Sequence, residues 1–268
     1  GLVPRFAEVE WETGNVNAET LARAVTSKTR AIMVVHYAGR PCDMASIMAF
    51  ARERNLPVIE DCAETLGASV GGVQAGGFGI GVYSFYGTKN ITTGEGGVVA
   101  FNDDALSDWL RLRIAHGIAK KSYSRDGETL PWYRNAVVPG QNFRLSNLQA
   151  AIGLVQMAKL EGMNRRRGEV ASEYCRQLAG CEDFELPELL PSANHSWQMF
   201  AIKVDPSKRN AILRALNESG VGASCHFDPP VHMQSAYRQA DVSLPVTEKL
   251  GASTITLPIS SVQEQSQT

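Results

Sequence analysis

Two residues of complementary chemistry stand at predicted strand ends: Asp61 closes an otherwise apolar strand, and Lys89 follows a strand ending at Tyr86. Open α/β sheets bind ligands outside the carboxyl ends of their strands, so a carboxylate and a primary amine at such ends can meet over one ligand. An amine there can act as nucleophile, base or acid once it is deprotonated. Ser84 and Thr88 lie beside the lysine and offer hydroxyls to an anion. Four glycines among the eleven residues from Gly87 to Gly97 imply close backbone approach to a ligand or to another strand. Bland readings stand beside these: Asp61 as a loop or helix cap, Lys89 as a surface lysine.

Other chemistries fit less well. Gly77-Phe78-Gly79-Ile80-Gly81 precedes a strand, whereas a dinucleotide fingerprint follows one and opens a helix. No G-x-x-x-x-G-K-[ST] run is present, so Lys89 is not a P-loop lysine. His226 and His232 flank Phe227-Asp228-Pro229-Pro230-Val231, whose prolines exclude the helical i, i+4 zinc geometry, and no metal site is expected. His36 at a strand end and His116 at a helix end read as satisfied structural histidines.

The elements that must position these residues alternate. Ala31 to His36 reads as a buried strand and Asp43 as the cap of a helix from Met44 to about Arg54, with Ile47, Phe50 and Ala51 on one face. Leu56–Asp61, Val82–Tyr86 and Gly97–Phe101 read as strands, and Asp103 or Asp104 caps a helix carrying Leu106, Leu110 and Ile114 that stops near Gly117. This alternation predicts an α/β fold with a largely parallel sheet. The opening Val3–Ala7 is also strand-like. Residues 118–143 read as irregular, with Trp132 and Tyr133 near their end. A long helix capped by Ser146 or Asn147 is predicted to run, with interruptions in its pattern, toward Leu178, and a second, α+β unit follows: strand Met199–Val204, helix Lys208–Ser219 and strand Ala223–Phe227.

Composition narrows the class. The 268 residues carry 26 Lys+Arg against 28 Asp+Glu, a net charge of −2, which offers no electrostatic footprint for nucleic acid or an anionic membrane. No stretch approaches the roughly 20 apolar residues of a membrane span. Five scattered cysteines without a C-x-x-C pair, and the absence of a leader pattern, lead us to expect a reducing, cytoplasmic setting. The start at Gly1, directly on a strand-like run, suggests a fragment.

Together, Val58-Ile59-Glu60-Asp61-Cys62-Ala63-Glu64-Thr65-Leu66-Gly67-Ala68 and Tyr83-Ser84-Phe85-Tyr86-Gly87-Thr88-Lys89-Asn90-Ile91-Thr92-Thr93-Gly94-Glu95-Gly96-Gly97 resemble the DegT/DnrJ/EryC1/StrS family of pyridoxal-phosphate-dependent sugar aminotransferases. The resemblance extends through Val35–Met44, Leu112–Gly117, Gly140–Ala151 and His226–His232. It implies the type I aminotransferase fold, incomplete here, with a smaller α+β C-terminal domain. Residues 1–145 would form part of the large cofactor-binding domain, 146–180 a connecting long helix and 181–268 the incomplete small domain.

By the same resemblance pyridoxal 5'-phosphate is the cofactor. Lys89 would form the Schiff base and move the proton, while Asp61 would keep the pyridine nitrogen protonated. Ser84 would bind the phosphate. Glu64 occupies a place where many members carry Gln or His beside the cofactor, and Glu there is a variant found among enzymes that aminate 4-keto sugars. Asn142 would reach the neighbouring subunit's cofactor phosphate, which implies a homodimer. The expected activity is transfer of an amino group, with glutamate as donor, to a nucleotide-linked keto sugar, a 4-keto-6-deoxy sugar being favoured, in amino-sugar or surface-polysaccharide biosynthesis. Alternatives are a cyclitol or other keto substrate, or a cofactor-binding regulator without catalysis; family dehydratases carry histidine in place of the lysine, so Lys89 argues against that branch. The family's N-terminal phosphate-binding segment and the end of its small domain have no counterpart in these residues, so the chain is read as a fragment that keeps the lysine and aspartate but lacks part of the phosphate cup and substrate wall, with its own activity left open.

Overall fold

The computed structural model describes residues 1–118, 135–188, 193–237 and 242–263. Helix α1 (Ala18–Ala24) opens with a capping box in which Asn17 and Thr20 satisfy each other's backbone N–H groups. Strand β1 (Ile32–Val35), helix α2 (Met44–Glu53) and strand β2 (Val58–Asp61) then form a right-sized crossover unit, with the Asp43 side chain capping α2 at Ser46 N. Two short strands, β3 (Ser69–Val70) and β4 (Val73–Gln74), make a hairpin before β5 (Ile80–Ser84) and β6 (Gly97–Ala100). The main sheet has the order β1-β2-β5-β6; β1, β2 and β5 are parallel and β6 is antiparallel to β5. Parallel strands end at one edge, so His36, Asp61 and Ser84 arrive there together. The β5–β6 connection, which carries Lys89, folds back over that same edge.

The chain continues through α3 (Asp104–Arg113), capped by Asp103, to α4 (Asn147–Met157) and α5 (Leu160–Gln177). Beyond them β7 (Phe184–Glu185), β8 (Ala193–Asn194), β9 (Phe200–Val204), α6 (Pro206–Glu218), α7 (Pro245–Ser253) and β10 (Thr254–Leu257) follow. Strands β10, β9 and β7 form a second, antiparallel sheet, and β8 joins the β3–β4 hairpin. Buried apolar side chains form two clusters. One joins Leu21, Ile32, Val34, Met44, Ile47, Phe50 and Val58; the other joins Val170, Tyr174, Trp197, Phe200, Ile202 and Ile255.

Three expectations are corrected. The long helix is broken: Lys159 has φ −101° and its N–H bonds Gln156, an i→i−3 turn, so α4 ends and α5 begins anew. Residues 3–7 form no strand; this segment instead brings Glu8 to the start of α7, where its carboxylate accepts the N–H groups of Val246 and Thr247. Within Ala223–Phe227 only Ser224 pairs, with Thr256; the Ala223 and His226 carbonyls are taken instead by the Asn217 amide and the Tyr37 hydroxyl. Helix α3 forms as predicted but buries none of its residues. Trp132 and Tyr133 lie outside the described residues.

Candidate active site

Asp61 is the last residue of β2, paired with Val35 on one side and Val82 on the other. Its Oδ1 accepts the N–H of Ala63 at 3.0 Å, so it does cap the turn that follows, with one oxygen. Ser84 ends β5, two residues past Asp61's neighbour Val82, and its Oγ accepts the N–H of Tyr86 at 3.2 Å. A tight turn closed by the Lys89 N–H on the Tyr86 carbonyl, at 3.0 Å, then carries the lysine back over the edge. Its side chain is only 17% exposed, and Nζ stands 3.8 Å from Oε1 of Glu64. A surface lysine would be mostly solvated. The structure therefore sets aside the surface reading and joins Lys89, Glu64, Asp61 and Ser84 at one edge.

Glu64 is held from the other side, where Oε2 accepts the N–H of Ala38 at 2.8 Å. Burial pushes its carboxyl above the ordinary 4.5; the Ala38 N–H and Lys89 act against this, while the charge of Asp61 adds to it. Tyr37 and His226 complete the surroundings: the Tyr37 hydroxyl donates to the His226 carbonyl at 2.6 Å, and His226 Nδ1 lies 3.1 Å from Thr256 Oγ1. Burial, reinforced by the charge of Glu64, raises the Tyr37 phenol. Burial and then the positive charge of Lys89 lower the His226 imidazole.

The lysine turn is anchored behind. Asn90 Nδ2 donates to Asn164 Oδ1 and to the Ser196 carbonyl, both at 2.7 Å, and Ser196 Oγ donates to the Glu64 carbonyl at 2.8 Å. Asn164 Nδ2 donates in turn to the Leu66 carbonyl at 2.9 Å. These amides tie α5 and the second unit to both sides of the Lys89–Glu64 pair. Sequence reading did not find Tyr37, Ala38, Asn90, Asn164 or Ser196 as site residues. Ala38 acts through its backbone, for which side-chain type gives no signal, and the others meet only through the tertiary fold.

The glycine-rich loop divides in two. A Cβ on Gly97 would sit 2.8 Å from the Tyr83 carbonyl and one on Gly96 2.6 Å from Thr93 Oγ1, so these two serve strand packing. A Cβ on Gly87 or Gly94 would meet nothing within 4 Å. The loop is thus open around Gly87, between Ser84 and Lys89. Asn142 is placed elsewhere: it is exposed, bridges Ala115, and accepts the Arg144 Nε–H at 3.0 Å. His226 and His232 do not converge, since His232 Nε2 is 3.1 Å from Glu248. A cavity of about 1260 Å³, lined by Arg40, Asn164, Glu188, His195 and Trp197 among others, adjoins the amide anchor rather than the lysine.

The model of the DegT/DnrJ/EryC1/StrS aminotransferase family matches residues 1–267. The chain belongs to this family. It is 36% identical over 241 residues to protein MJ1066 of Methanocaldococcus jannaschii, a match covering 88% of this chain and 62% of that protein. The chain thus spans less than two thirds of the length of that relative. It superposes on the aminotransferase TlmJ from Streptoalloteichus hindustanus with a TM-score of 0.92 at 31% identity, covering 99% of this chain and 70% of TlmJ. PseC of Helicobacter pylori, an aminotransferase involved in pseudoaminic acid biosynthesis, gives 0.92 at 27% identity, covering 100% of this chain and 71% of PseC. The fold is that of the pyridoxal-phosphate-dependent aminotransferases. The residues present fit that cofactor. They supply a sheltered amine, a carboxylate with one oxygen engaged by Ala63, a hydroxyl at a strand end, and open space at Gly87 between the last two. His36, Glu60 and Cys62 offer ligand-type atoms within 4.8 Å of one another. However, the imidazole nitrogens are already engaged, Nδ1 by the Cys42 N–H and Nε2 by Glu60.

Proposed function

We propose that the protein to which this chain belongs transfers an amino group, with glutamate as donor, to a nucleotide-linked keto sugar, a 4-keto-6-deoxy sugar being favoured. The observation that carries this reading is the sheltered Lys89 facing Glu64 at 3.8 Å on the edge that also holds Asp61 and Ser84. Pyridoxal phosphate, when bound, supplies the electron sink that lets an amino group and a proton change carbons. Lys89 Nζ holds the cofactor and, when freed from it, moves the proton. Asp61 keeps a proton on the ring nitrogen through a charge-assisted hydrogen bond. Ser84 binds the phosphate, where the open space at Gly87 admits it. Glu64, lifted above the ordinary carboxylate range by burial, is suited to hold or release a proton beside Lys89 Nζ.

Glu64 in place of Gln or His favours a 4-keto sugar, and PseC, an aminotransferase involved in the biosynthesis of pseudoaminic acid, supports an amino-sugar setting. The same reading places Asn142 at the cofactor phosphate of a second copy, making the working unit a cytoplasmic homodimer. It also divides the chain into part of a large domain (1–145), a connecting segment (146–180) and a small domain (181–268). Mixing cofactor-loaded full-length protein with glutamate should convert the cofactor's absorbance to that of its amino form, and a nucleotide keto sugar should restore it. Borohydride reduction and peptide mass mapping should place the pyridoxyl label on Lys89; a label on a different lysine removes the proposal.

A further inference from the structure

Beneath the site lies a second acid, Glu60, which the chemistry above does not use. It neighbours Asp61 but points to the opposite face of β2, where it and His36 are fully buried. Both of its oxygens are saturated. Oε1 accepts the N–H groups of Phe78 and Gly79 at 2.9 and 2.7 Å; Oε2 accepts Gly76 N–H at 2.8 Å and faces His36 Nε2 at 3.1 Å. The tautomer of His36 follows from its other nitrogen. Cys42 N–H donates to Nδ1 at 3.0 Å, so Nδ1 accepts and the proton resides on Nε2, aimed at Glu60. An acceptor on Nδ1 and a donor on Nε2 clamp the loop from His36 to Cys42 at both ends. The His36 N–H, moreover, donates to the Asp61 carbonyl at 3.1 Å.

In the middle of that clamped loop sits Ala38. Its backbone is left-handed, with φ +60°, an uncommon conformation for a residue other than glycine. The conformation coincides with the aim of its N–H at Glu64 Oε2, at 2.8 Å. Glu64 faces Lys89 from the lysine turn, Asp61 from the end of β2 and Tyr37 from the loop itself. His36 and Glu60 thus fix the two ends of a loop whose middle residue, Ala38, takes the Met199 N–H on its carbonyl and gives its own N–H to Glu64, which faces Lys89.

We propose that His36 and Glu60 are positioning residues that hold the Ala38 N–H on Glu64 and so fix the Glu64 carboxylate against Lys89. This rests on the reading of Lys89 as the reacting amine. The two faces of the sheet edge then have separate tasks: the buried pair sets a backbone donor, and the donor sets the acid.

The test uses the full-length protein without cofactor and reads acetylation of Lys89 by acetic anhydride, quantified by peptide mass mapping. His36→Asn keeps an acceptor for Cys42 N–H but loses the donor to Glu60; His36→Gln does the reverse. Nζ is sheltered and faces Glu64 at 3.8 Å, so releasing that carboxylate frees Nζ to meet the reagent, and either variant should acetylate faster by roughly threefold to tenfold, the scale of one lost hydrogen bond. Glu64→Gln should also speed labelling, and in that background neither His36 change should add anything, since the carboxylate they act through is already gone. If only one His36 variant folds, that one decides. Equal effects of the His36 change with and without Glu64, or no change in Lys89 labelling at all, would overturn the proposal. Because the coupling is read without cofactor, its failure is distinct from a pyridoxyl label on another lysine, which sinks the functional reading alone.

Discussion

Glu60 and Glu64 are the same residue type, four positions apart and both buried, yet the structure drives them in opposite directions. Burial alone would raise both. At Glu60 the His36 imidazole and the N–H groups of Gly76 and Gly79 more than offset it, and the carboxyl lies below the ordinary 4.5. At Glu64 a single backbone N–H and a lysine 3.8 Å away do not, and the carboxyl lies above it. Saturation with donors makes an acid a fixed structural charge, whereas partial satisfaction leaves it able to exchange a proton. The face carrying Glu60 belongs to the packed core; the face carrying Glu64 belongs to the site.

The largest effect expected from breaking this contrast comes from Lys89→Ala. It removes the amine proposed to bind the cofactor and also the only cation described within ion-pair distance of Glu64. Loss of a positioned acid–base group costs about 10²–10⁴-fold, and loss of the covalent hold adds to it, so turnover by full-length protein should fall to background in a steady-state assay. The fold should remain, because the turn is anchored by Asn90 and not by the lysine. Unfolding by denaturant should therefore show a midpoint close to that of the parent.

Next comes Glu60→Gln, whose effect should be on stability. An amide can accept on one atom only, whereas four donors converge on this carboxylate. Two of them would face an NH₂ group. Breaking a buried charged network by changing one partner costs about 3–5 kcal/mol, readable from urea unfolding. Glu64→Gln should cost under about 1 kcal/mol, since an amide oxygen can still accept from Ala38. Equal losses for the two variants would abolish the distinction drawn between them.

Much of this was legible in the residues, for reasons that can be named. The apolar run before Asp61, the caps at Asp43 and Ser146, and the motifs around Asp61 and Lys89 are local signals, and the parallel sheet follows from their alternation. The pair that separates Glu60 from Glu64 was not legible. Its donors come from backbone N–H groups at 38, 76, 78 and 79, which every sequence possesses, and their convergence depends on the β3–β4 hairpin and the left-handed Ala38. Two-residue strands leave no periodic pattern to read. The exact place of the break, at Lys159, escaped for a related reason: neither proline nor glycine stands at that position, and helical apolar spacing on either side masks it.

The smallest effect, and the sharpest test of the contrast, lies in pH dependence. An acid whose folded-state value is lowered adds stability that is present above its unfolded value and is lost as the pH falls through the folded one. Glu60 is such a group, so acidification below about 4.5 should remove part of the protein's stability on its account. For an acid whose value is raised, the folded state binds more protons than the unfolded state between the two values. Stability on account of Glu64 should therefore decline as the pH rises above about 4.5 and level off once its raised folded value is passed. The two slopes oppose each other in one stability curve. Glu64→Gln should cancel its own, so the decline that Glu64 imposes on the parent just above pH 4.5 should be absent; cofactor binding should survive, because the amide preserves the Ala38 contact. The measurement is urea unfolding of both proteins across the acid range. A parallel pair of curves would mean that Glu64 ionises in the folded chain as freely as it does in the unfolded one, and the opposition between the two acids would be gone.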